Sequence, residues 1–404
     1  MSLFIILIIV CSPIIGLIPA GRQLIFGKRA FLDTLPMAFV LALFGLFYVP
    51  SLQVDLTRYF AQVDALRGVQ GFGSVFYTLG ISDRLQVSSK FLFYLVSRFS
   101  YDNLLPFVVV MLVACIGLYL IKDYTAAHDF AKPTQVLMYV AFLLLMPWGT
   151  VITNIRYITG LAFMVLALYR DLYQQRNDPI TWLMYILGCT MHLVIVLFLM
   201  ARIGLAFFLG FLKTKDKKTR NFLLLALLLI MALFSQSSLF RLFMDKALFY
   251  LQGGSEGSTV QTWFQMADNS VGRRLGKYAE ELFTLSQAVL IIPAIWRTHI
   301  DKDTPHNNIY WYTFGVLVLT FLMTLMPGTT WVRFAFMVAF MSVFIISAEE
   351  TYLKNVYLVL VNQSIWLGML IWSVIWQVYQ YTGSEIMTRN DYFNILYPLW
   401  RVLR

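Results

Sequence analysis

Charge is what this sequence has least of. Only 13% of its 404 residues are Asp, Glu, Lys or Arg, about half the roughly 25% of a soluble domain. A fully solvated surface cannot be drawn from so few. Cysteine is scarce too. Cys11, Cys115 and Cys189 all fall inside apolar runs, with no metal-ligand spacing and no set that makes a disulfide framework, so they read as packing residues. The histidines, at 128, 192, 299 and 306, form no HExxH pair. A Gly-rich loop ending in Lys-Ser/Thr is missing, as is a Rossmann fingerprint, so no nucleotide-driven chemistry is visible. No paired carboxylates inside apolar runs mark a proton or sodium path. No Gly/Pro-broken helices recur in matching halves, which counts against a transporter built from inverted repeats.

What remains is apolar: 59% of the residues are hydrophobic, and the mean hydropathy is +0.72. Runs of about 20 apolar residues recur along the chain, the length that crosses a bilayer as a helix. Barrel strands would alternate apolar and polar, and these runs do not. The expected fold class is an all-α polytopic integral membrane protein, residues 1–404 forming a single multispanning domain. The net charge of +10 then reads as basic loops that set topology and meet anionic headgroups, not as a nucleic-acid surface.

In chain order, about twelve spans are expected. The first, about 2–20, lacks a basic n-region and reads as a retained helix rather than a cleaved signal. The others are about 31–50, 104–121, 134–150, a hairpin of two helices over 153–192, a seventh running to KTKDKKTR, and then 221–236, 281–297, 308–326, 331–348 and 356–378. From Ile180 to Leu212 the apolar run is too long for one span, and a tight turn is placed at His192. Between the second and third spans, SSKFLFYLVSRFS suggests a short re-entrant or interfacial helix. The links 21–30, 122–133, 170–178 and 297–307 and the segment KTKDKKTR all carry Lys or Arg and all fall on one side, so that side is cytoplasmic. The longer polar stretches 51–103 and 237–280 are then external loops. Arg202 sits badly, in mid-helix; a sixth helix running to residue 200 would invert everything downstream.

With this topology the external face collects Asp55, Arg58, Tyr59, Asp64, Arg67, Arg156, His192, Arg273, Arg274 and Arg333. Arg156 opens the fifth span and Arg333 the eleventh. Ionisable groups at membrane depth are costly and so are functional candidates. Several arginines at one depth suit a diphosphate, because the guanidinium fork matches phosphate oxygens and helix starts add oriented N–H groups. Each residue also has a plainer reading. An Arg at a helix end can be an interfacial anchor, Asp55 can be a helix cap, His192 a buried hydrogen-bonded residue, and Asp64, Arg273 and Arg274 ordinary loop charges.

Four motifs in this order resemble a known family: DLTRYF from Asp55, NIRYITGLAF around Arg156, LGCTMHLVIVL around His192, and WVRFAFMVAF around Arg333. Together they resemble the EpsG family of Wzy-like bacterial polysaccharide polymerases, over most of residues 31–348. Where such proteins often carry Gln after Ile-Arg, this chain has Tyr157. The resemblance implies a helical architecture similar to the GT-C glycosyltransferases. It implies transfer of a growing glycan from undecaprenyl diphosphate to the non-reducing end of an incoming lipid-linked repeat unit. The setting would be the outer face of the bacterial cytoplasmic membrane, with no cofactor and no metal. The implied partners are the undecaprenyl-diphosphate-linked oligosaccharide, the bilayer, and a flippase and chain-length regulator of the same pathway. Arg156 and Arg333, with Arg58 in support, would hold the diphosphate. His192 or Asp55 would be the catalytic base. Tyr59, Tyr157, Arg273 and Arg274 would contact the substrate. A ligase with the same donor, a flippase of lipid-linked sugars and a non-catalytic scaffold remain as alternatives.

Overall fold

The computed structural model describes residues 2–48, 50, 55–79, 85–213, 219, 222, 271–297, 305–325, 331–352 and 355–382. Every regular element among them is helical. The expected span 221–236, nearly all of KTKDKKTR, most of the stretch 237–280 and the C-terminal tail lie outside the described residues. The chain divides into two compact units, one from residues 1–166, 187–192 and 373–404, the other from 167–186 and 193–372.

The first unit opens with α1 (Ser2–Cys11) and α2 (Pro13–Phe26), where one span over 2–20 was expected. The break is at Ser12, extended at φ −158° and ψ 104°, because the ring of Pro13 disfavours helical backbone in the residue before it. The centre is a pair, α3 (Leu35–Leu46) against α7 (Leu104–Ala127). Gly45 permits their closest approach: a Cβ there would lie 2.7 Å from the carbonyl oxygen of Pro106. Helices in lipid gain little from apolar burial against each other, so such backbone proximity is a main source of cohesion.

α7 outruns its expected end at 121 because Lys122 is compensated. Its Nζ lies 3.4 Å from Asp33 Oδ2 and donates to the Leu24 carbonyl at 2.6 Å. Asp33 also accepts from Gln23 Nε2 at 2.8 Å and from the Arg29 backbone N–H at 2.7 Å. The charge therefore ties α2, the turn before α3, and α7 together. The expected helix 134–150 is also broken, into α8 (Lys132–Leu145) and α9 (Trp148–Thr153). Met146, just before Pro147, is extended, for the same reason as Ser12.

The polar stretch 51–103 is largely helical where described. It holds α4 (Asp55–Leu66), a 3-10 turn (Phe72–Ser74), α5 (Val75–Thr78) and α6 (Val87–Val96), the last close to the short helix expected there. Arg67, an external candidate, staples this region: its guanidinium lies 2.5 Å from Asp102 and 3.1 Å from Asp64.

α10 (Ile155–Leu168) and α11 (Pro179–Met191) have residues in both units. The second unit continues through a π-helical turn (Tyr169–Tyr173), a 3-10 turn (Leu193–Ile195), α12 (Val196–Lys213), α13 (Val271–Arg297), α14 (Pro305–Thr324), α15 (Trp331–Tyr352) and the start of α16 (Val356–Thr382), whose residues from 373 onward belong to the first unit. α11 ends at Met191, so the helix is interrupted at His192, where a tight turn was expected, and it does not run unbroken to residue 200. Arg202 is no misfit. Its Nε and Nη2 donate to the two Asp171 oxygens at 2.7 and 3.2 Å, and Tyr185 donates to the same carboxylate at 2.9 Å. α13 starts at Val271, so residues 271–280 of the expected loop are helical. α15 is the enclosed helix of this unit, with Phe336, Met337, Met341 and Phe344 fully buried, whereas α16 turns Val356, Tyr357, Val361 and Leu367 outward.

Among the described residues, five helices are long and apolar enough to cross a membrane: Leu104–Ala127, Leu193–Phe211, Arg274–Arg297, Trp331–Thr351 and Val356–Gln377. Shorter apolar helices cover Pro13–Phe26, Leu35–Leu46, Val87–Val96, Lys132–Leu145 and Pro179–Met191.

Candidate functional site

The first unit gathers most of the sequence candidates. α4 is amphipathic: Leu56, Tyr59, Val63 and Leu66 recur at helical spacing and are buried. Asp55 and Arg58 fall off that face, and the Arg58 guanidinium reaches Asp55 Oδ1 at 2.5 Å, with Arg58 more than half exposed. The buried face instead presents the Tyr59 ring inward, 5.4 Å from Phe93 of α6.

Arg156 meets that ring from α10. The helix restarts at Ile155 after Asn154 (φ −105°, ψ 52°) leaves helical geometry, which puts Arg156 in a first turn with its N–H groups unspent on helix bonds. The Arg156 Cζ stands 5.3 Å from the Tyr59 ring centroid, and Nε donates to the Tyr59 hydroxyl at 3.3 Å. Nη1 donates to Gln86 Oε1 at 2.7 Å. Gln86 is buried at the start of α6. A cation-π contact plus two directed bonds hold the planar fork. The neighbouring Tyr157 is fully buried, and His192 packs edge-to-face on it, ring centroids 5.6 Å apart at 86°. The end of α11 is held in place by Ser88 and Thr190, whose hydroxyl oxygens are 2.6 Å apart. Arg156 of α10, His192 just past the end of α11, and Asp55 of α4 thus belong to one unit.

The remaining candidates belong to the second unit. Arg333 is in the first turn of α15, and Arg274 is exposed in the first turn of α13. These helix starts lie together, since a Cβ on Gly276 would be 3.6 Å from the Trp331 ring. Arg273 lies on α13 beside Arg274. Tyr59 and Tyr157, expected as substrate contacts, are buried and support Arg156 and His192. Among the described residues, no group of three His, Cys, Asp or Glu side chains is placed to hold a metal ion.

Sequence reading missed Gln86 and Lys90. Both are buried, with Ser89 and Phe93, on one face of α6, and Lys90 Nζ stands 5.1 Å from the Phe76 ring. The spacing 86, 89, 90 and 93 is a helical face, and that was the available signal. Glu280 and Glu349 were also missed. They are buried on α13 and α15, though the apolar runs were drawn to begin at 281 and end at 348.

No curated protein and no solved structure matches the chain. The family model of the EpsG family matches residues 31–396. That span contains all four motifs and the whole Arg156 constellation, and the chain belongs to the EpsG family, a family of Wzy-like polysaccharide polymerases.

Proposed function

We propose that this protein lengthens a polysaccharide by moving a growing glycan from undecaprenyl diphosphate to the non-reducing end of an incoming lipid-linked repeat unit. The acceptor hydroxyl attacks the anomeric carbon. The bond from that carbon to the diphosphate oxygen breaks, and undecaprenyl diphosphate leaves. The hydroxyl proton passes to His192. The observation that carries this reading is the Arg156 guanidinium, held by Tyr59 and Gln86 in the same unit as His192. Negative charge grows on the departing diphosphate, and a preoriented cation there stabilises the transition state more than the ground state. Arg58 supports that contact. A diphosphate contact from Arg333 rests on its sequence motif alone, and substrate contacts from Arg273 and Arg274 rest on their expected place on the external face. Asp55 is already engaged by Arg58, which favours His192 as the base; imidazole also has an unperturbed pKa near neutrality.

The setting we propose is the outer face of the bacterial cytoplasmic membrane, with the short basic links inside. About twelve helices would cross in an arrangement similar to the GT-C glycosyltransferases, and the stretches 51–103 and 237–280 would cover the sugars. The test is direct. Purified protein is incubated with undecaprenyl-diphosphate-linked repeat units, without nucleotide sugar or metal. A ladder of lengthening glycans, lost in Arg156→Ala, is expected. Folded protein that makes no ladder but moves the lipid across liposomes is a transporter, and the reading fails.

A further inference from the structure

The second unit contains a polar cluster that the transfer chemistry does not use. Glu280, Thr284 and Gln287 share one buried face of α13. Gln287 Nε2 donates to Asn362 Oδ1 of α16 at 3.1 Å. Asn362 Nδ2 in turn donates to Glu349 Oε2 of α15. Asn362 is fully buried and both ends of its amide are spoken for. Two atoms are left over, Gln287 Oε1 and Glu349 Oε1. Both are buried, both are acceptors, and neither has a hydrogen-bond partner. Among the described residues, no Lys, Arg or His pairs with Glu349. Glu349 is in the last turn of α15 and Arg333 in its first, about 24 Å apart along a helix rising 1.5 Å per residue. The cluster is therefore separate from the arginines at the helix starts.

A buried acceptor without a donor is costly, and a buried carboxylate without a countercharge is more so. Two orphan oxygens joined through one bridging amide ask for a single occupant carrying positive charge. A water molecule would supply hydrogens but no charge. One carboxylate with neutral amide oxygens is a hard, singly charged donor set. It suits an alkali ion; divalent ions draw on more carboxylates. We propose that Glu349, Gln287 and Asn362 form a binding site for a monovalent metal cation, Na⁺ or K⁺. Glu349 Oε1 and Gln287 Oε1 are the ligands, and Asn362 is the bridge that sets their spacing. The bound ion joins α13, α15 and α16.

The site is tested without the transferase reaction, so its fate is independent of the proposed function. Purified protein in detergent is heated at constant ionic strength in sodium, potassium or N-methylglucamine chloride. Either alkali ion raises the unfolding midpoint saturably over N-methylglucamine, and the two arms identify which ion is preferred. Glu349→Gln, which keeps the shape and removes the charge, loses the shift. If that variant does not fold, Gln287→Leu serves, because it removes one ligand and leaves the Asn362–Glu349 bond; the cation concentration for half the shift then rises by about tenfold, the equivalent of one lost hydrogen-bond-sized contact. Retention of ²²Na⁺ by the wild-type protein, displaced by unlabelled Na⁺ or K⁺, is the direct measure. No cation-specific shift together with no retained ²²Na⁺ overturns the proposal. So does a midpoint that follows pH but not cation identity, which would assign a proton to Glu349. An unchanged response in the variants overturns it as well.

Discussion

A guanidinium that is in cation-π contact, bonded at Nε and bonded at Nη1 cannot be replaced by a point charge of the same sign. Arg156→Lys keeps the charge but loses the planar fork and its two directed bonds. It is expected to slow ladder formation by roughly 10²–10³, the cost of losing a preorganised donor, at unchanged protein level. Tyr59→Phe keeps the ring and removes one acceptor, so a loss of about fivefold is expected from one hydrogen bond of about 1 kcal/mol. Equal rates for Arg156→Lys and wild type would contradict the geometry. A second residue-scale effect concerns Asp178, at the start of α11. The Thr181 backbone N–H and hydroxyl, and then Arg170, hold its carboxyl down at about 2, from an ordinary 3.8. The folded carboxyl resists protonation, so the stability it adds is complete above about pH 4 and is lost as pH falls towards about 2. Thermal unfolding of wild type against Asp178→Asn is expected to show a gap above about pH 4 that closes on acidification through that window. Arg156 and His192 were legible in the sequence because an ionisable group at the edge of an apolar run stands out, and Asp55 because it opens the motif DLTRYF just past a span. Gln86 was not, since a neutral amide before a short helix reads as loop until the helix phase is known.

At the scale of elements, the apolar runs announced most helices but misplaced their ends. Ser12 and Pro147 mark breaks that proline could have signalled; hydropathy smooths over both. The errors in the other direction came from charge. Lys122, Glu280 and Glu349 each read as the edge of a span, yet each is buried on a helix that continues. Lys122 is paired with Asp33, far off in sequence, while Glu349 and Glu280 accept from Asn362 and Thr284; hydropathy registers the charge and none of these pairings. Close helix contacts are equally silent in sequence. Gly45 is the clearest, because the atom its Cβ would strike is backbone and cannot swing aside. Gly45→Ala is expected to cost about 1–3 kcal/mol, as overpacking does, read as a lowered unfolding midpoint in detergent. An unchanged midpoint would mean that α3 and α7 separate easily.

For the whole molecule, the positive-inside argument gives an orientation that labelling can check. In a background with Cys11, Cys115 and Cys189 replaced, single cysteines at the exposed positions Arg58 and Arg274 are expected to react with a membrane-impermeant maleimide in intact cells. A cysteine at Asp216, in KTKDKKTR, should react only after the membrane is opened. Labelling of Asp216 in intact cells would invert the topology. The Asp33–Lys122 pair has a consequence in time as well as in space. The ribosome makes Asp33 well before Lys122, so α2 and α3 enter the membrane with a carboxylate whose counter-ion does not yet exist. Until α7 follows, Gln23 and the Arg29 N–H are its shown support. The early hairpin is thus a provisional structure, open to quality-control proteases, and α7 is the event that commits it. Lys122→Met, which leaves the carboxylate uncompensated at about 3–5 kcal/mol, should appear mainly as fewer chains surviving synthesis. The chains that do survive should elongate glycan at the ordinary rate per molecule.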